Sequence, residues 1–287
     1  MQLSVVIITF NEEANIGRTL ASVQPLIGDG KGEIIVVDSG STDRTFEIAK
    51  SFGAKVFVEE WKGFAAQKNS AIDKASGDWI LSLDADEEVD SEMAGSISKY
   101  LPIANKHREY VVGNVADSKS DPVFDQAWEA GTEYPEDAFA FSRKNFFLGR
   151  WIKHGGFWPD PKVRLFRRGS ARVEDRTVHE TLKVRRAGSL IGALIHHSYP
   201  TLSDYIEHMN RYSSLGAEMV VAKGPVRFSV INIVLRPAFT FIYNYFFRLG
   251  FLDGREGLLL HLYHAVYVSW KYAKAWELSR LQDELSS

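Results

Sequence analysis

Residues 79–90 read WILSLDADEEVD. The apolar run that opens this stretch has the length and composition of a buried parallel strand. It ends in Asp84-Ala85-Asp86, with Glu87 and Glu88 directly behind. Open α/β sheets bind ligands in the crevice beyond the carboxyl ends of their strands. Two carboxylates one residue apart, on the loop leaving such a strand, can share a hard divalent cation. Mg2+ or Mn2+ takes oxygen ligands and is held by one or two carboxylates plus substrate phosphates. The expected ligand is therefore a phosphorylated small molecule carrying its metal. A solvated acidic turn is the plain alternative for an isolated Asp-x-Asp, and the preceding residues decide between them.

Upstream, LSVVII (3–8), EIIVV (33–37) and residues 55–58 read as strands. Helices are expected up to about Gln24, up to about Phe52 and over Gly63–Ser76, the first capped by Asn11 or Glu12 and the second by Ser41 or Thr42. This is β-α-β-α-β-α-β in about ninety residues, with crossovers as long as parallel strands need. Every polar loop follows a strand, so Thr9–Glu12, Asp38–Asp43 and Asp84–Asp86 should line one crevice. No G-x-G-x-x-G opens the first helix, which argues against a dinucleotide, and no P-loop signature is present.

The 287 residues are 45% hydrophobic and 25% charged, which suits a globular protein with a sizeable core of one or two domains. A net charge of −3 gives no pointer to nucleic acid. The absence of cysteine excludes disulfides, thiolate metal sites and a catalytic thiol. A strand pattern beginning at Leu3 leaves no place for a secretory signal. Nor is there an H-E-x-x-H or a cysteine–histidine set for zinc.

Taken in order and spacing, TFNEEANI (9–16), VVDSGSTDRT (36–45), GFAAQKNSAI (63–72) and WILSLDADE (79–87) resemble the inverting glycosyltransferases of family 2, which have the GT-A fold. GRWIKHGGFWPDPKVRLFRRG (149–169), DRTVHE (175–180), HHSY (196–199) and FLDGREG (251–257) resemble the lipopolysaccharide core glycosyltransferases of the WaaE type. The resemblance implies a Rossmann-like, mostly parallel sheet with helices on both faces and a nucleotide-sugar site. In it Thr9, Phe10 and Glu12 border the nucleobase and ribose, and Asp38 accepts from the uracil ring. Lys68 stands where many relatives have Arg, near the diphosphate; the exchange keeps the charge but loses the bidentate fork. Asp84 faces the ribose or a metal-bound water, Asp86 holds the metal, and His179 completes the metal shell or touches the diphosphate. For Asp43, helix capping is the better reading.

An inverting transfer needs a base for the acceptor hydroxyl proton. Asp160, before KVRLF, is favoured over Glu180 in VHE, and both stay open. His154, Trp158, Arg164 and Arg167 are candidates for phosphate or acceptor contacts, and guanidinium forks match phosphate oxygens. Gly155 and Gly156 read as a tight loop with backbone close to ligand. His196 and His197 read as structural. Glu109–Gly113 reads as a strand. Val115–Ala140, with seven acids and one Lys, reads as an excursion over the acceptor side or a solvated loop. Arg143–Arg186 holds thirteen Lys/Arg against four Asp/Glu, which suits anionic substrates or head groups.

From Arg227 the pattern changes. Phe228, Ile231, Leu235, Phe239, Ile242, Phe246 and Leu249 recur at spacings of three and four, with Asn232, Arg236, Thr240, Asn244 and Arg248 forming a polar stripe. Pro237 kinks this helix or starts it afresh. A second helix, Gly257–Leu278, is rich in Tyr and Trp, residues that favour membrane interfaces. Neither apolar run reaches the roughly 18 residues of a spanning helix.

The expected organisation is a catalytic domain over 1–225 (nucleotide-sugar half 1–114, acidic insertion 115–140, acceptor half 141–225) and a helical, membrane-associating tail over 226–287. The expected activity is metal-dependent transfer of a hexose, read as glucose, from a UDP-sugar to a hydroxyl of a lipid-linked saccharide such as lipopolysaccharide inner core. The expected location is cytoplasmic, peripheral on the inner face of the cytoplasmic membrane. The rivals are transfer to polyprenyl phosphate or to a peptide side chain, a non-catalytic nucleotide-sugar-binding scaffold, and a nucleotidyltransferase.

Overall fold

Leu3–Thr9 (β1) is rich in β-branched residues and almost wholly buried, as expected of a strand covered on both faces. The computed structural model describes residues 3–28, 30, 32–112, 137–174, 181–184 and 187–286. In it β1 lies between Gly32–Asp38 (β2) and Trp79–Asp84 (β4) and runs parallel to both. Lys55–Val58 (β3) adds in parallel beyond β2. The crossovers are Ile16–Ile27 (α1), Thr45–Ser51 (α2) and Phe64–Asp73 (α3). Residue alternation divides the core into two layers. Leu3, Val5 and Ile7 pack with Ile16 and Leu20 of α1 on one face; Val6, Ile35 and Val37 pack with Ala65, Ala71 and Ile72 of α3 on the other. The expected sheet with helices on both faces is present.

The chain forms two compact units, the first comprising Met1–Phe141, Lys162–Val173 and Leu182–Leu194, the second Ser142–Pro161, Glu174–Thr181 and Ile195–Ser287. In the first unit, Lys162–Arg167 (β8) runs antiparallel to β4, with Trp79 opposite Arg167 and Leu81 opposite Leu165. The leading half of Ala138–Phe147 (β6) pairs with β8, again antiparallel. With Glu87–Val89 (β5) and Gly188–Tyr199 (β11), the strand order is β3-β2-β1-β4-β8-β6-β11-β5; Arg150–Trp151 (β7) pairs with the end of β6, and Arg172–Glu174 (β9) pairs with Thr181–Lys183 (β10).

Two expectations change here. Residues 109–112 are not a strand; they end the helix Ser91–Val112 (α4). A short apolar run such as YVV cannot be told from a helical turn by periodicity. Of the acidic excursion, 115–136 lies outside the described residues, and its last residues, 138–140, open β6.

The second unit is built on Leu202–Val221 (α5) and Gly254–Ser286 (α7). Thr201 and Asp204 form a capping box at the start of α5. Lys274 of α7 ties the two helices, donating to the Asn210 carbonyl at 2.8 Å and to Ser213 Oγ at 2.8 Å. Phe147, Ile152, Tyr205 and Leu260 form its core. Arg236–Ile242 (α6) begins afresh at Pro237, flanked by wide π-type turns at Ile231–Leu235 and Tyr243–Phe247. Among the described residues no helix is long and apolar enough to cross a membrane.

Candidate active site

Register alone gathers the first set of polar residues. Thr9 stands opposite Asp38, and Ile8 opposite Asp84, so the carboxyl ends of β1, β2 and β4 share one edge. Thr9 is buried, and its hydroxyl has no hydrogen-bond partner among the described residues. Phe10 is exposed. Asp38 is buried and turned onto its own loop: Oδ1 accepts from Gly40 N–H at 2.9 Å and Ser41 N–H at 2.7 Å, and Oδ2 from Ser41 Oγ at 2.6 Å. A carboxylate has about four acceptor sites, so this turn leaves capacity for one more donor. Asp43 accepts from Thr45 N–H at 3.0 Å and Glu13 N–H at 3.1 Å, a role at the start of α2.

Asp84 is engaged through both carboxylate oxygens. Lys68 of α3 reaches Oδ1 at 2.8 Å, and Arg164 of β8 donates to Oδ2 at 2.7 Å. Arg164 also donates to Glu87 Oε1 at 2.6 Å, and Glu87 Oε2 accepts from Asp84 N–H at 3.1 Å. Glu87 is fully buried. Burial alone would lower the Arg164 pKa; the carboxylates of Glu87 and Asp84 outweigh it and drive the guanidinium upward. Arg164 thus braces the acidic loop. Ala85, between the two aspartates, is held through its carbonyl by Thr19 Oγ1 at 2.7 Å.

Asp86 is half-buried at the same edge. Its charge, with those of Asp43 and Asp84, reaches Glu12, whose pKa is raised first by burial and then by these acids, against a hydrogen bond from Asn15. Carboxylates crowded this way favour a cation, and oxygen-only donors suit Mg2+ or Mn2+. Among the described residues no three His, Cys, Asp or Glu side chains converge as a closed shell. This chemistry fits a metal completed by substrate phosphate. His179 and Glu180 lie outside the described residues.

Arg167 is not brought to this edge. Opposite Trp79 at the start of β4, it lays its guanidinium 4.8 Å from the Trp79 ring centroid. Asn69, which follows Lys68, clamps the backbone of Val173, donating to its carbonyl at 2.9 Å and accepting its N–H at 3.1 Å.

In the second unit, Asp160 sits in the left-handed region at φ 41°. Its Oδ2 accepts from Arg143 Nε at 2.9 Å, from an Arg143 terminal nitrogen at 2.8 Å and from Asn145 Nδ2 at 3.0 Å. A cavity of about 270 Å³ is lined by Arg143, Asn145, Phe157, Asp160, His196 and Tyr199, among others. His196 Nδ1 lies 2.8 Å from Asn145 Oδ1 and 2.6 Å from Ser198 Oγ. His196 therefore belongs to the surroundings of Asp160 and is more than a strand residue. Trp158 packs edge-on against Trp151. His154 is tied to buried Asp253, ring Nδ1 to Oδ1 at 2.9 Å and backbone N–H to Oδ2 at 2.8 Å. At Gly155 and Gly156 the close approach comes from the chain itself: a Cβ there would lie 2.0 Å from the His261 ring and 2.1 Å from Arg248.

Sequence reasoning passed over Glu87, Asn69, Asn145 and His196 as site residues. For Glu87 a signal existed: an acid between buried Ala85 and Val89 needs a buried partner. For the others the pairing is purely tertiary.

The model of the family described as "Glycosyl transferase family 2" matches residues 4–173. An uncharacterized glycosyltransferase of Rickettsia typhi is 29% identical over 97% of this chain and 88% of its own length. The lipopolysaccharide core biosynthesis glycosyltransferase LpsC of Rhizobium meliloti is 26% identical over 98% of this chain and 94% of its own. Among solved structures, S. aureus TarS 1-349 in complex with UDP matches with a TM-score of 0.45 at 16% identity, covering 98% of this chain and 92% of that one.

Proposed function

The chain belongs to glycosyl transferase family 2, and on that premise we propose that it is a metal-dependent inverting hexosyltransferase. It moves a hexose, glucose foremost, from a UDP-sugar to a hydroxyl of a lipid-linked saccharide of the lipopolysaccharide inner-core kind. The observation that carries the reading is the acidic loop after β4, sharing an edge with Thr9 and Asp38 and braced by Lys68 and Arg164. The near full-length likeness to LpsC supports the acceptor class. An enzyme with such an acceptor works peripherally on the inner face of the cytoplasmic membrane.

Asp86, with Asp84 and the donor diphosphate, would hold Mg2+ or Mn2+, which neutralises the charge that the leaving nucleoside diphosphate develops. Asp38 and its turn seat the uracil. Lys68 sets a positive charge beside Asp84, on the diphosphate side. Asp160, oriented by Arg143 and Asn145, takes the acceptor hydroxyl proton. As it does so the acceptor oxygen bonds to the anomeric carbon, and the bond from that carbon to the diphosphate breaks, its electron pair leaving with UDP. Attack opposite the leaving group inverts the anomeric centre.

The test is a thermal-shift titration with UDP, GDP, CDP and ADP, with and without Mn2+, on wild type and Asp86→Ala. Ligand at 100 times its dissociation constant stabilises by about 2.7 kcal/mol. The expected result is a shift with UDP that needs metal and is lost in Asp86→Ala. No shift with any nucleotide overturns the donor-site reading.

A further inference from the structure

The segment with the apolar stripe is folded with that stripe turned outward. Phe228, Ile231, Leu235, Phe239, Ile242, Phe246 and Leu249 are each 46–66% exposed. Val230, Val234 and Phe247 extend the same exposed surface. Of the polar stripe, Arg236 and Arg248 remain exposed. Asn232, Thr240 and Asn244 are half-buried. Arg236 donates to the Tyr272 hydroxyl of α7, with its guanidinium 4.9 Å from the centroid of that ring. Ser269 of α7 donates to the Ile233 carbonyl at 2.8 Å. The segment thus docks onto its own unit through its polar side.

Phe228, Phe239, Phe246 and Phe247 are each more than half exposed. Together they leave on the order of 400 Å² of ring surface in water, which already matches the largest apolar patch of an ordinary monomer. The charge around this surface has one sign. Residues 226–252 contain Arg227, Arg236 and Arg248 and no acid, although the whole chain carries a net charge of −3. Lys223 precedes the stretch and is exposed, the nearby Asp253 is buried, and beyond it Arg255 pairs with Glu256 at 2.9 Å. An amphipathic helix of this type, apolar and aromatic on one side and edged by arginine, lies in the plane of a bilayer with its apolar side among the acyl chains.

We propose that the outward face of 228–249 is a docking surface for a lipid bilayer carrying anionic head groups. The acyl region takes the phenylalanines, isoleucines and leucines, and Lys223 and Arg227 meet the head-group phosphates. The proposal deepens the lipid-linked acceptor reading, on which it rests for its purpose; its grounds are exposure and charge.

The experiment is co-sedimentation of the full chain with phosphatidylcholine vesicles, with and without phosphatidylglycerol, run on wild type and on Phe239→Ser/Phe246→Ser. Both substituted residues are exposed, so the variant should keep the wild-type melting temperature and UDP response. Wild type should pellet with the anionic vesicles, less so in high salt. The double variant should bind them roughly tenfold more weakly or worse. Wild type that stays in the supernatant with anionic vesicles overturns the proposal. So does a wild-type dimer in light scattering that the double variant converts to monomer without any vesicle binding, since the face would then seat a second copy. Vesicle binding without a UDP response would instead fault the donor reading and leave this surface standing. The salt dependence of the wild type serves as an independent readout if the double variant does not fold.

Discussion

Arg164→Met probes the claim that Glu87 is buried in order to hold Arg164 against Asp84. Glu87 is fully buried, the Arg164 side chain is 12% exposed, and 2.6 Å separates them. Methionine keeps much of the stem and leaves the carboxylate without its guanidinium. Removing one partner of a buried ion pair costs about 3–5 kcal/mol, because the remaining charge is stranded. For a folding unit of this size each kcal/mol moves the melting temperature by about 2–4 °C, so the expected fall is roughly 10 °C. Adding Glu87→Gln removes the stranded charge and keeps an amide oxygen for the Asp84 N–H, so it should restore about half of that loss or more. Differential scanning calorimetry of wild type, the two single variants and the double variant at neutral pH closes the cycle. A fall under about 2 °C for Arg164→Met, or a double variant no more stable than Arg164→Met, would refute the bracing argument. Arg164→Lys separates charge from reach: one terminal nitrogen of Arg164 donates to both carboxylates, and an ammonium on the shorter lysine stem keeps the charge but sits farther from them. It should hold most of the stability and still lose turnover.

Three further outcomes follow from the same geometry. Burial pushes Glu33 upward, but hydrogen bonds from Lys55, Ser76 and Ser4 outweigh it and hold its carboxyl at about 2 against an ordinary 4.5. Its stabilisation is therefore complete above pH 4.5 and drains away as pH falls toward about 2, so the melting-temperature gap between wild type and Glu33→Gln should close over that window; a gap independent of pH contradicts it. Asp43→Ala, which loses its bonds to Thr45 and Glu13, should cost about 0.5–2 kcal/mol and leave the UDP-induced shift intact, whereas loss of UDP binding would move Asp43 into the site. Asp160→Asn should lower turnover by about 10²–10⁴ with UDP binding unchanged, and near-normal turnover would pass the role of base to another carboxylate.

The strands of the nucleotide half are legible because each is an apolar run bounded by polar loops. The structure returns 55–58 with the expected bounds and extends β1 by one residue and β2 by two. Parallel order and the shared edge of Thr9, Asp38 and Asp84 follow from crossover length and the right-handed rule. The antiparallel insertion of β8 beside β4 is not legible in the same way. No local pattern joins Arg164 to Glu87, 77 residues apart, yet that pairing braces the loop that carries Asp84 and Asp86. Asp160 is singled out by its motif alone. Its neighbours Arg143, Asn145 and His196 come together only through the pairing of distant strands.

The tail shows a different limit. Periodicity identifies which residues share a helical face but carries no sign: the same stripe serves a core or a surface. Turning the stripe inward is the ordinary outcome, since burial removes large side chains from water. Here α7 meets the segment with Tyr272 and Ser269, groups that satisfy Arg236 and a backbone carbonyl, and so selects the polar face as the one to be covered. Seven large apolar side chains are left outside by that choice, against the rule that otherwise governs this chain's core. Real proteins break local rules where function requires it. The edge that carries Thr9, Asp38 and Asp84 obeys its sequence pattern, and the tail inverts its own. That inversion is what the bilayer docking proposed for the tail requires of it.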